Sequence, residues 1–268
     1  MLSNIRFCPI ASGSNGNCMY FSSGRTSVLI DSGLSGVRIE GRLNSIKASG
    51  FDIDAIFVTH EHSDHAMGVG VLSRRYDIPV FATSGTWKAM ERDQALGRIS
   101  AKNKRLVYTD ENLILNDIRI HPFSVPHDAA EPVGYTIEAR GVKVAIATDM
   151  GEITREIIEN ISDADILLLE SNHDEDMVRT GRYPEMLKRR ILGNFGHLSN
   201  INCGRLLAQV ITDRLRHAYL GHLSEENNRP ELAYETVKNI LLDNDFKVNE
   251  AFSLRLTDRK GCGAQVAI

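Results

Sequence analysis

Thr59-His60-Glu61-His62-Ser63-Asp64-His65 is the stretch that decides how this chain is interpreted, because it holds three histidines and one aspartate within six positions. It follows the apolar run at residues 55–59, which has the length and composition of a buried strand. Neutral imidazole and ionised carboxylate are good ligands for zinc and other transition metals. A solvated polar loop is the alternative, but it does not explain so many ligands in one place. The cluster therefore predicts a metal site.

Further ligands are needed elsewhere, because four side chains from one loop cannot complete the coordination of two ions. His127, Asp149 and His222 each follow an apolar run. Ligands in open α/β sheets lie just beyond the carboxyl ends of strands, so these three positions are suitable. Each could be structural if it stood alone. Together with the cluster they predict a site for two divalent ions.

The pattern of strands and helices predicts an α/β fold with helices on both sides of the sheets. We expect a helix near residues 35–48, closed by Gly50, and no Pro/Gly/Ser-rich linker interrupts the chain. Residues 1–268 are therefore expected to form a single domain. The strands are predicted at residues 5–10, 18–22, 26–31, 55–59, 79–82, 118–123, 133–139, 142–147, 166–169 and 218–220.

Composition excludes some classes of protein. Hydrophobic residues at 42% and charged residues at 25% are ordinary globular values. No window approaches the roughly 18 to 20 apolar residues of a membrane span, and residues 1–10 lack the pattern of an export signal. Four scattered cysteines without a C-x-x-C spacing are typical of reduced thiols that serve in packing. We expect a cytoplasmic protein with no membrane partner.

The net charge of −4 argues against a surface coated in positive potential, as avid nucleic-acid binders have. It does not exclude nucleic acid as a substrate, because bound divalent cations are missing from the formal count. A local basic cluster, formed by Arg179, Arg182 and residues 188–190, is expected near the edge of the site. A solvated helix face explains this cluster equally well.

H-x-H-x-D-H followed by a later His, Asp and His resembles the metallo-β-lactamase-fold hydrolases, which are four-layer αββα sandwiches. The resemblance also favours hydrolysis over redox chemistry, because flavodiiron oxidoreductases of this fold usually carry a Glu at the place of His62. It implies that the first ion is held by His60, His62 and His127, the second by Asp64, His65 and His222, and that Asp149 bridges the two.

Two such ions, about 3.5 to 4 Å apart, lower the pKa of a bridging water and clamp an in-line displacement. The bridging hydroxide is then the nucleophile, and Asp64 counts among the catalytic residues as well as the ligands. The inner site retains about one net positive charge, which favours an anionic substrate such as a phosphodiester. Zinc or manganese is expected, and iron fits the same ligands.

Three further residues match supporting motifs of related enzymes. Asp31 resembles the first Asp motif of the fold, which implies that it orients the His-rich loop by hydrogen bonds. A turn aspartate before Gly33 is its alternative role. Glu170 and His197 resemble two motifs of the ribonuclease Z group, which implies a pair that helps to protonate the leaving oxygen. His197 could instead simply begin a helix.

Four residues are candidates for substrate binding. Ser14, Asn15 and Asn17 lie in Ser12-Gly-Ser-Asn-Gly-Asn17, whose amides could form an anion nest, although a hairpin turn explains the loop equally well. His173 could contact a phosphate or remain a polar loop residue. His121 and His217 lie inside strand-like runs and are expected to be structural.

His222-Leu-Ser-Glu-Glu-Asn-Asn228, followed by Pro230, resembles the YycJ-like or WalJ-like branch of this fold. Motifs at residues 12–17, 170–174 and 196–200 extend that resemblance over almost the whole chain. It implies a DNA exonuclease that acts from 5′ ends, so the expected partner is nucleic acid. Two alternatives stay open: a hydrolase of a lactone, thioester or cyclic phosphodiester, and a non-catalytic regulatory metal-binding protein. The oligomeric state and the native metal cannot be predicted from these residues.

Overall fold

A computed structural model describes residues 5–92, 96–258 and 261–268 of the chain. Its first sheet has seven strands in the order β14-β1-β2-β3-β4-β5-β6. Pairing is antiparallel from β14 to β3 and parallel from β3 to β6. The strands are β1 (Arg6–Ala11), β2 (Cys18–Ser22), β3 (Ser27–Ile30), β4 (Ala55–Phe57), β5 (Val80–Ala82), β6 (Lys104–Leu106) and β14 (Val266–Ala267).

The second sheet also has seven strands, in the order β13-β12-β11-β10-β9-β8-β7. Here β10 to β13 are parallel and β7 to β10 antiparallel. The strands are β7 (Leu113–Leu115), β8 (Ile118–Ser124), β9 (Val133–Ala139), β10 (Val142–Ala147), β11 (Ile166–Glu170), β12 (His217–Gly221) and β13 (Ser253–Leu256).

Helices cover the outer face of each sheet. The helices are α1 (Gly36–Ser45), α2 (Ser63–Ala66), α3 (Val69–Tyr76), α4 (Ser84–Arg92), α5 (Arg155–Ile161), α6 (Glu175–Thr180), α7 (Glu185–Leu192), α8 (Asn200–Val210) and α9 (Pro230–Asp243), with 3₁₀ turns at Gly50–Asp52 and Ala101–Asn103. Ile39 of α1, Leu72 of α3 and Trp87 of α4 belong to the apolar cluster on the first sheet. Leu206 of α8 and Val237 of α9 belong to the cluster on the second.

Strand alternation explains why both sheets are buried on both faces. In β3, Leu29 faces the helices, whereas Val28 and Ile30 face the other sheet. In β11, Leu167 likewise faces helices and Leu168 the other sheet. Because successive side chains point to opposite faces, a strand buried twice needs a continuous apolar run, which is what the sequence shows. The predicted four-layer αββα sandwich is confirmed.

The predicted interior strands match the structure to within a few residues, but four peripheral strands were missed. β6, β7 and β14 have three, three and two residues. β13 is longer, with four, and lies at the far edge of the second sheet. Short edge strands lack the apolar run that makes a strand recognisable in sequence, and their shortness protects the sheet edges from pairing with other chains.

The helices and the cysteines bear on the expected absence of a membrane span and of disulfides. Within residues 5–92, 96–258 and 261–268, no helix has both the length and the apolar composition needed to cross a bilayer. The four cysteines, all within the described part of the chain, are free, and Cys8, Cys18 and Cys203 are buried. These buried thiols pack in the core, as expected.

Candidate metal centre

The seven predicted ligands converge where the strands of both sheets end. His60, His62 and His127 place one nitrogen each within 4.8 Å of one another. Asp64, His65 and His222 form a second such group. Asp149 belongs to a group with His60 and His65 and to another with His222, so it lies between the two. The residues that the resemblance assigned to two ions therefore lie together in two adjoining groups.

A left-handed backbone turn directs three of the site residues inward. Asp31, Asp149 and His222 have φ values of 64°, 55° and 52°, and each follows the end of its strand by one or two residues. Residues other than glycine rarely adopt this conformation, which costs about 1–3 kcal/mol. The turn directs each side chain toward the rim shared by both sheets instead of along its strand.

The His-rich cluster is only partly a loop. His60 and His62 lie in the connection after β4, whereas Asp64 and His65 lie in α2, a single helical turn. The carbonyl oxygen of Asp64 accepts a hydrogen bond of 2.7 Å from the Asn17 amide. The amide of Gly33 donates in turn to the Asn17 carbonyl at 2.8 Å. Three loops are thus joined by backbone hydrogen bonds behind the ligands.

Asp31 supports the cluster through three hydrogen bonds. Its Oδ1 accepts from the Thr59 amide at 2.8 Å, and its Oδ2 accepts from Thr59 Oγ1 at 2.9 Å. Oδ2 also lies 2.8 Å from His65 Nδ1. This contact leaves Nε2 of His65 facing inward, 3.1 Å from Asp149 Oδ2. The arrangement is that of a carboxylate which sets the tautomer of a metal-binding histidine.

Two orphaned nitrogens test whether the site suits a metal. His60 Nδ1 lies 3.0 Å from Thr59 Oγ1, and His127 Nδ1 lies 3.0 Å from the Gly196 carbonyl oxygen. The Nε2 atoms of His60 and His127 are buried and have no hydrogen-bond partner among the described residues. A buried polar atom without a hydrogen-bond partner costs about 1–3 kcal/mol unless a ligand binds to it. Burial lowers the pKa of both histidines, which favours the neutral form that coordinates metals.

Opposite charges surround the second group. Burial opposes a charge on His222, but Asp149, Asp64 and Glu170 outweigh it and raise the His222 pKa to about 10. His65 behaves alike, because Asp149, Asp31 and Asp64 overcome its burial and raise its pKa. Burial raises the pKa of Asp149, yet His222 and His65 hold it well below the usual range. A divalent cation would replace the protons that balance these carboxylates.

Glu170 holds two histidines from behind. Its Oε1 lies 2.8 Å from His197 Nδ1 and 3.0 Å from His222 Nδ1, and its Oε2 accepts from the Met150 and Leu198 amides at 2.9 and 3.1 Å. Burial raises its pKa, but His197 and His222 outweigh that effect and lower it to about 2. Glu170 is therefore ionised at neutral pH.

His197 is the more exposed member of this pair. Burial lowers its pKa, but Glu170 outweighs that effect and raises it. Its side chain is 21% exposed, and its ring lines a cavity beside the metal centre. Because Nδ1 faces Glu170, Nε2 is the nitrogen available to a ligand in that cavity.

Only two of the four predicted substrate contacts are accessible. Ser14 lines the cavity beside the metal centre, and Asn15 is exposed, donating to Glu225 at 2.9 Å. Asn17 is fully buried, with Nδ2 2.9 Å from His65 Nε2. His173 is 1% exposed. Asn17 therefore contacts the ligands from within the protein, and neither it nor His173 is open to a substrate.

Three backbone amides of the predicted anion nest, the loop at residues 12–17, donate inside the protein. The Gly13 amide donates to Asn17 Oδ1 at 3.0 Å, and the Gly16 amide to the Gly13 carbonyl at 2.9 Å. The Asn17 amide donates to the Asp64 carbonyl. These three donors are therefore not open to a ligand.

In the basic cluster, Arg190 lies near the site, whereas Arg179 and Lys188 form ion pairs away from it. Arg190 forms an ion pair with Asp128, whose other oxygen lies 3.3 Å from His127 Nε2. By contrast, Arg179 pairs with Glu175 and Lys188 with Glu185. The sequence interpretation missed Asp128, although its position directly after His127 was a usable signal.

The two histidines expected to be structural lie outside the site. His121 belongs to β8, where it pairs with Thr136 of the neighbouring strand. His217 begins β12, and its Nδ1 lies 2.6 Å from Ser253 Oγ. Neither belongs to a group of candidate ligands among the described residues.

Comparison with known proteins is consistent with this geometry. A model of the beta-lactamase superfamily domain matches residues 26–222. Exodeoxyribonuclease YycJ of Bacillus anthracis is 41% identical over 256 residues, which cover 96% of each chain. Exodeoxyribonuclease WalJ of Streptococcus pneumoniae is 38% identical over 249 residues, 93% of each chain. The metallo-beta-lactamase fold protein YhfI of Bacillus subtilis matches with a TM-score of 0.72 at 14% identity. The match covers 98% of this chain and 99% of YhfI, so the two proteins share the fold.

Proposed function

The chain belongs to the beta-lactamase superfamily, and on that premise we propose that it is a metal-dependent exodeoxyribonuclease that removes nucleotides from 5′ ends. The observation that carries this proposal is the convergence of seven histidines and aspartates into two adjoining ligand groups. Full-length similarity to two exodeoxyribonucleases supports DNA as the substrate. Because both sheets contribute ligands, we also propose that residues 1–268 act as one hydrolase domain. We propose the cytoplasm as its location.

Two divalent ions fit the ligands. One would be held by His60, His62 and His127, the other by Asp64, His65 and His222, with Asp149 between them. When bound, such a pair activates water for in-line attack on a phosphodiester. Imidazole and carboxylate accept zinc, manganese or iron, so the ligand set alone leaves these metals open.

His197 is the proton donor to the leaving group. An alkoxide released from a phosphodiester needs a proton donor within hydrogen-bond reach. Glu170 holds His197 Nδ1 at 2.8 Å and, being ionised, favours the imidazole carrying a proton. The ring is partly exposed in the cavity beside the ligands, so its Nε2 is placed to donate that proton. Glu170 itself positions the ring and stays ionised.

The test combines elemental analysis with hydrolysis of three substrates. Purified protein, loaded with Mn²⁺ or Zn²⁺, is given 5′-labelled duplex and single-stranded DNA, a lactone, and bis(p-nitrophenyl) phosphate. We expect about two metal ions per chain and release of nucleotides from the 5′ end. His62→Ala and Asp149→Ala should remove this activity while circular dichroism shows a folded protein. Intact DNA together with a hydrolysed lactone would contradict the proposal and favour the small-molecule hydrolase.

A further inference from the structure

A cavity of about 150 Å³ opens beside the metal centre, and His197 belongs to its wall. Tyr183, Leu187 and Ile191 form an apolar part of the same wall. We propose that this cavity binds the nucleobase of the nucleotide whose phosphate reaches the metal centre, with the ring of Tyr183 as its stacking partner. The identification of the occupant rests on the proposed nuclease function.

The helix that contributes this wall has an apolar face that is only partly covered. None of the eight residues of α7 is buried, although the helix carries Met186, Leu187, Ile191 and Leu192. Leu187 and Ile191 are four positions apart within the helix, and residues at this spacing share one helix face. Both line the cavity with Tyr183, which precedes the helix, so their half-buried apolar surface is available to a ligand.

Polar groups complete the cavity and give it a direction. Ser14, Asn172 and Ser224 line it together with His197. Arg190 also lines it, and Asp128 holds that guanidinium beside His127. Ligand sites are usually apolar with a few convergent polar groups that fix orientation. His197 is joined to His222 through Glu170, and Arg190 to His127 through Asp128. These links match a nucleotide with its phosphate toward the metals and its base toward Tyr183.

The size of the cavity selects a single base. Sites for drug-sized ligands have volumes of about 300 Å³ or more, about twice the 150 Å³ observed here. One planar ring system fits this space, whereas a base pair does not. The base must therefore leave its duplex before it enters, and unpairing is easiest for mismatched or already single-stranded bases. The cavity thus accounts for attack at chain ends, where bases separate most readily.

The ring of Tyr183, and not its hydroxyl group, is the part that contacts the base. Burial raises the pKa of Tyr183, and Glu226 and Glu225 raise it further. Stacking on a base needs only the aromatic ring. Phenylalanine should therefore replace Tyr183 without loss of binding, whereas alanine should not.

Calorimetry with two matched probes tests the cavity directly. Binding of dAMP is compared with binding of deoxyribose 5-phosphate, which lacks only the base. We expect the wild type and Tyr183→Phe to bind dAMP more tightly than deoxyribose 5-phosphate. Tyr183→Ala should lose about 5- to 150-fold of dAMP affinity, the range expected for one base–aromatic stack. Tyr108→Ala is the matched control, because Tyr108 is 48% exposed and lies outside the cavity.

A second measurement uses DNA in which the second nucleotide from the 5′ end, whose 5′-phosphate is the scissile one, is abasic. The wild type should cleave it with a higher KM than intact DNA, and Tyr183→Ala should show no such difference. Equal dAMP affinity in wild type and Tyr183→Ala, or equal KM for both DNAs in the wild type, overturns the proposal. If the wild type binds dAMP through Tyr183 but degrades no DNA, the cavity stands and the nuclease function fails.

Discussion

His65 Nδ1 and Asp31 Oδ2 lie 2.8 Å apart, in a contact that joins the end of β3 to α2. The contact is fully buried and leaves His65 Nε2 as the inward ligand atom. A carboxylate that orients a metal-binding histidine also makes the ring more basic. We therefore expect Asp31 to contribute to metal affinity without itself touching an ion.

Asp31→Asn should weaken metal binding by about 10- to 100-fold, the usual cost of changing such a supporting carboxylate. Competition with a chromophoric chelator measures the affinity, and circular dichroism checks the fold. Asp54→Asn is a suitable control, because Asp54 also accepts a backbone hydrogen bond but lies away from the ligands. Unchanged metal affinity in Asp31→Asn would show that the contact serves packing alone.

His197→Ala should slow DNA cleavage by about 10²- to 10⁴-fold, the range for loss of a general acid. Metal content should remain that of the wild type. Hydrolysis of bis(p-nitrophenyl) phosphate should fall far less, because p-nitrophenolate leaves without a proton. Elemental analysis and rates on the two substrates measure these effects. A lower metal content would make His197 a ligand instead.

Gly33→Ala should disrupt the metal centre through the backbone. A Cβ at Gly33 would lie 1.6 Å from the Asp64 carbonyl oxygen and 2.7 Å from the Asn17 nitrogen, so α2 must shift. We expect a loss of about 1–3 kcal/mol in the free energy of unfolding, as for other overpacked sites, together with weaker metal binding. Urea unfolding and chelator competition measure the two effects.

Gly41→Ala is the matched control for that experiment. Gly41 lies within α1, and no atom of the described chain lies within 4 Å of the Cβ position. Alanine in a helix interior should raise the free energy of unfolding by about 0.5–1 kcal/mol. Equal destabilisation by both variants would mean that contact with Asp64 is not the cause.

Asp117 should make the stability of the protein depend on pH. Its carboxylate accepts hydrogen bonds from Thr26 Oγ1 at 2.6 Å and Ser23 Oγ at 2.9 Å. These bonds link the turn before β3 to the turn before β8 in the other sheet. Burial raises the pKa of Asp117, but the two hydrogen bonds outweigh it and lower the pKa below its usual value.

A carboxyl whose pKa is lower in the folded state stabilises the fold fully above its unfolded pKa, about 3.9, and loses that contribution as pH falls through the folded pKa. Asp117→Asn should therefore cost about 1–3 kcal/mol at neutral pH, and the difference from wild type should shrink below pH 4. Urea unfolding at several pH values measures it. A difference that stays constant down to pH 2 would contradict the assignment.

The candidate ligands were predictable because their signals are local. The strands before His60, Asp149 and His222 are mainly apolar runs, since both of their faces are buried, and the ligand follows where the run ends. His60, Asp149 and His222 could be placed at one rim on that basis. The family motifs added Asp31, Glu170 and His197, which have ordinary surroundings in sequence.

Tertiary structure alone decided what the remaining side chains face. Asn17 resembled a substrate contact, but it is buried against Asp64, 47 positions later. The amides of Gly13, Gly16 and Asn17 likewise donate to neighbours inside the protein. Tyr183 carried no motif and became notable only because α7 leaves an apolar face over the cavity. Apolar runs and strand ends can be recognised from neighbouring residues in the sequence. Burial and hydrogen-bond partners, by contrast, depend on segments that meet only when the chain folds.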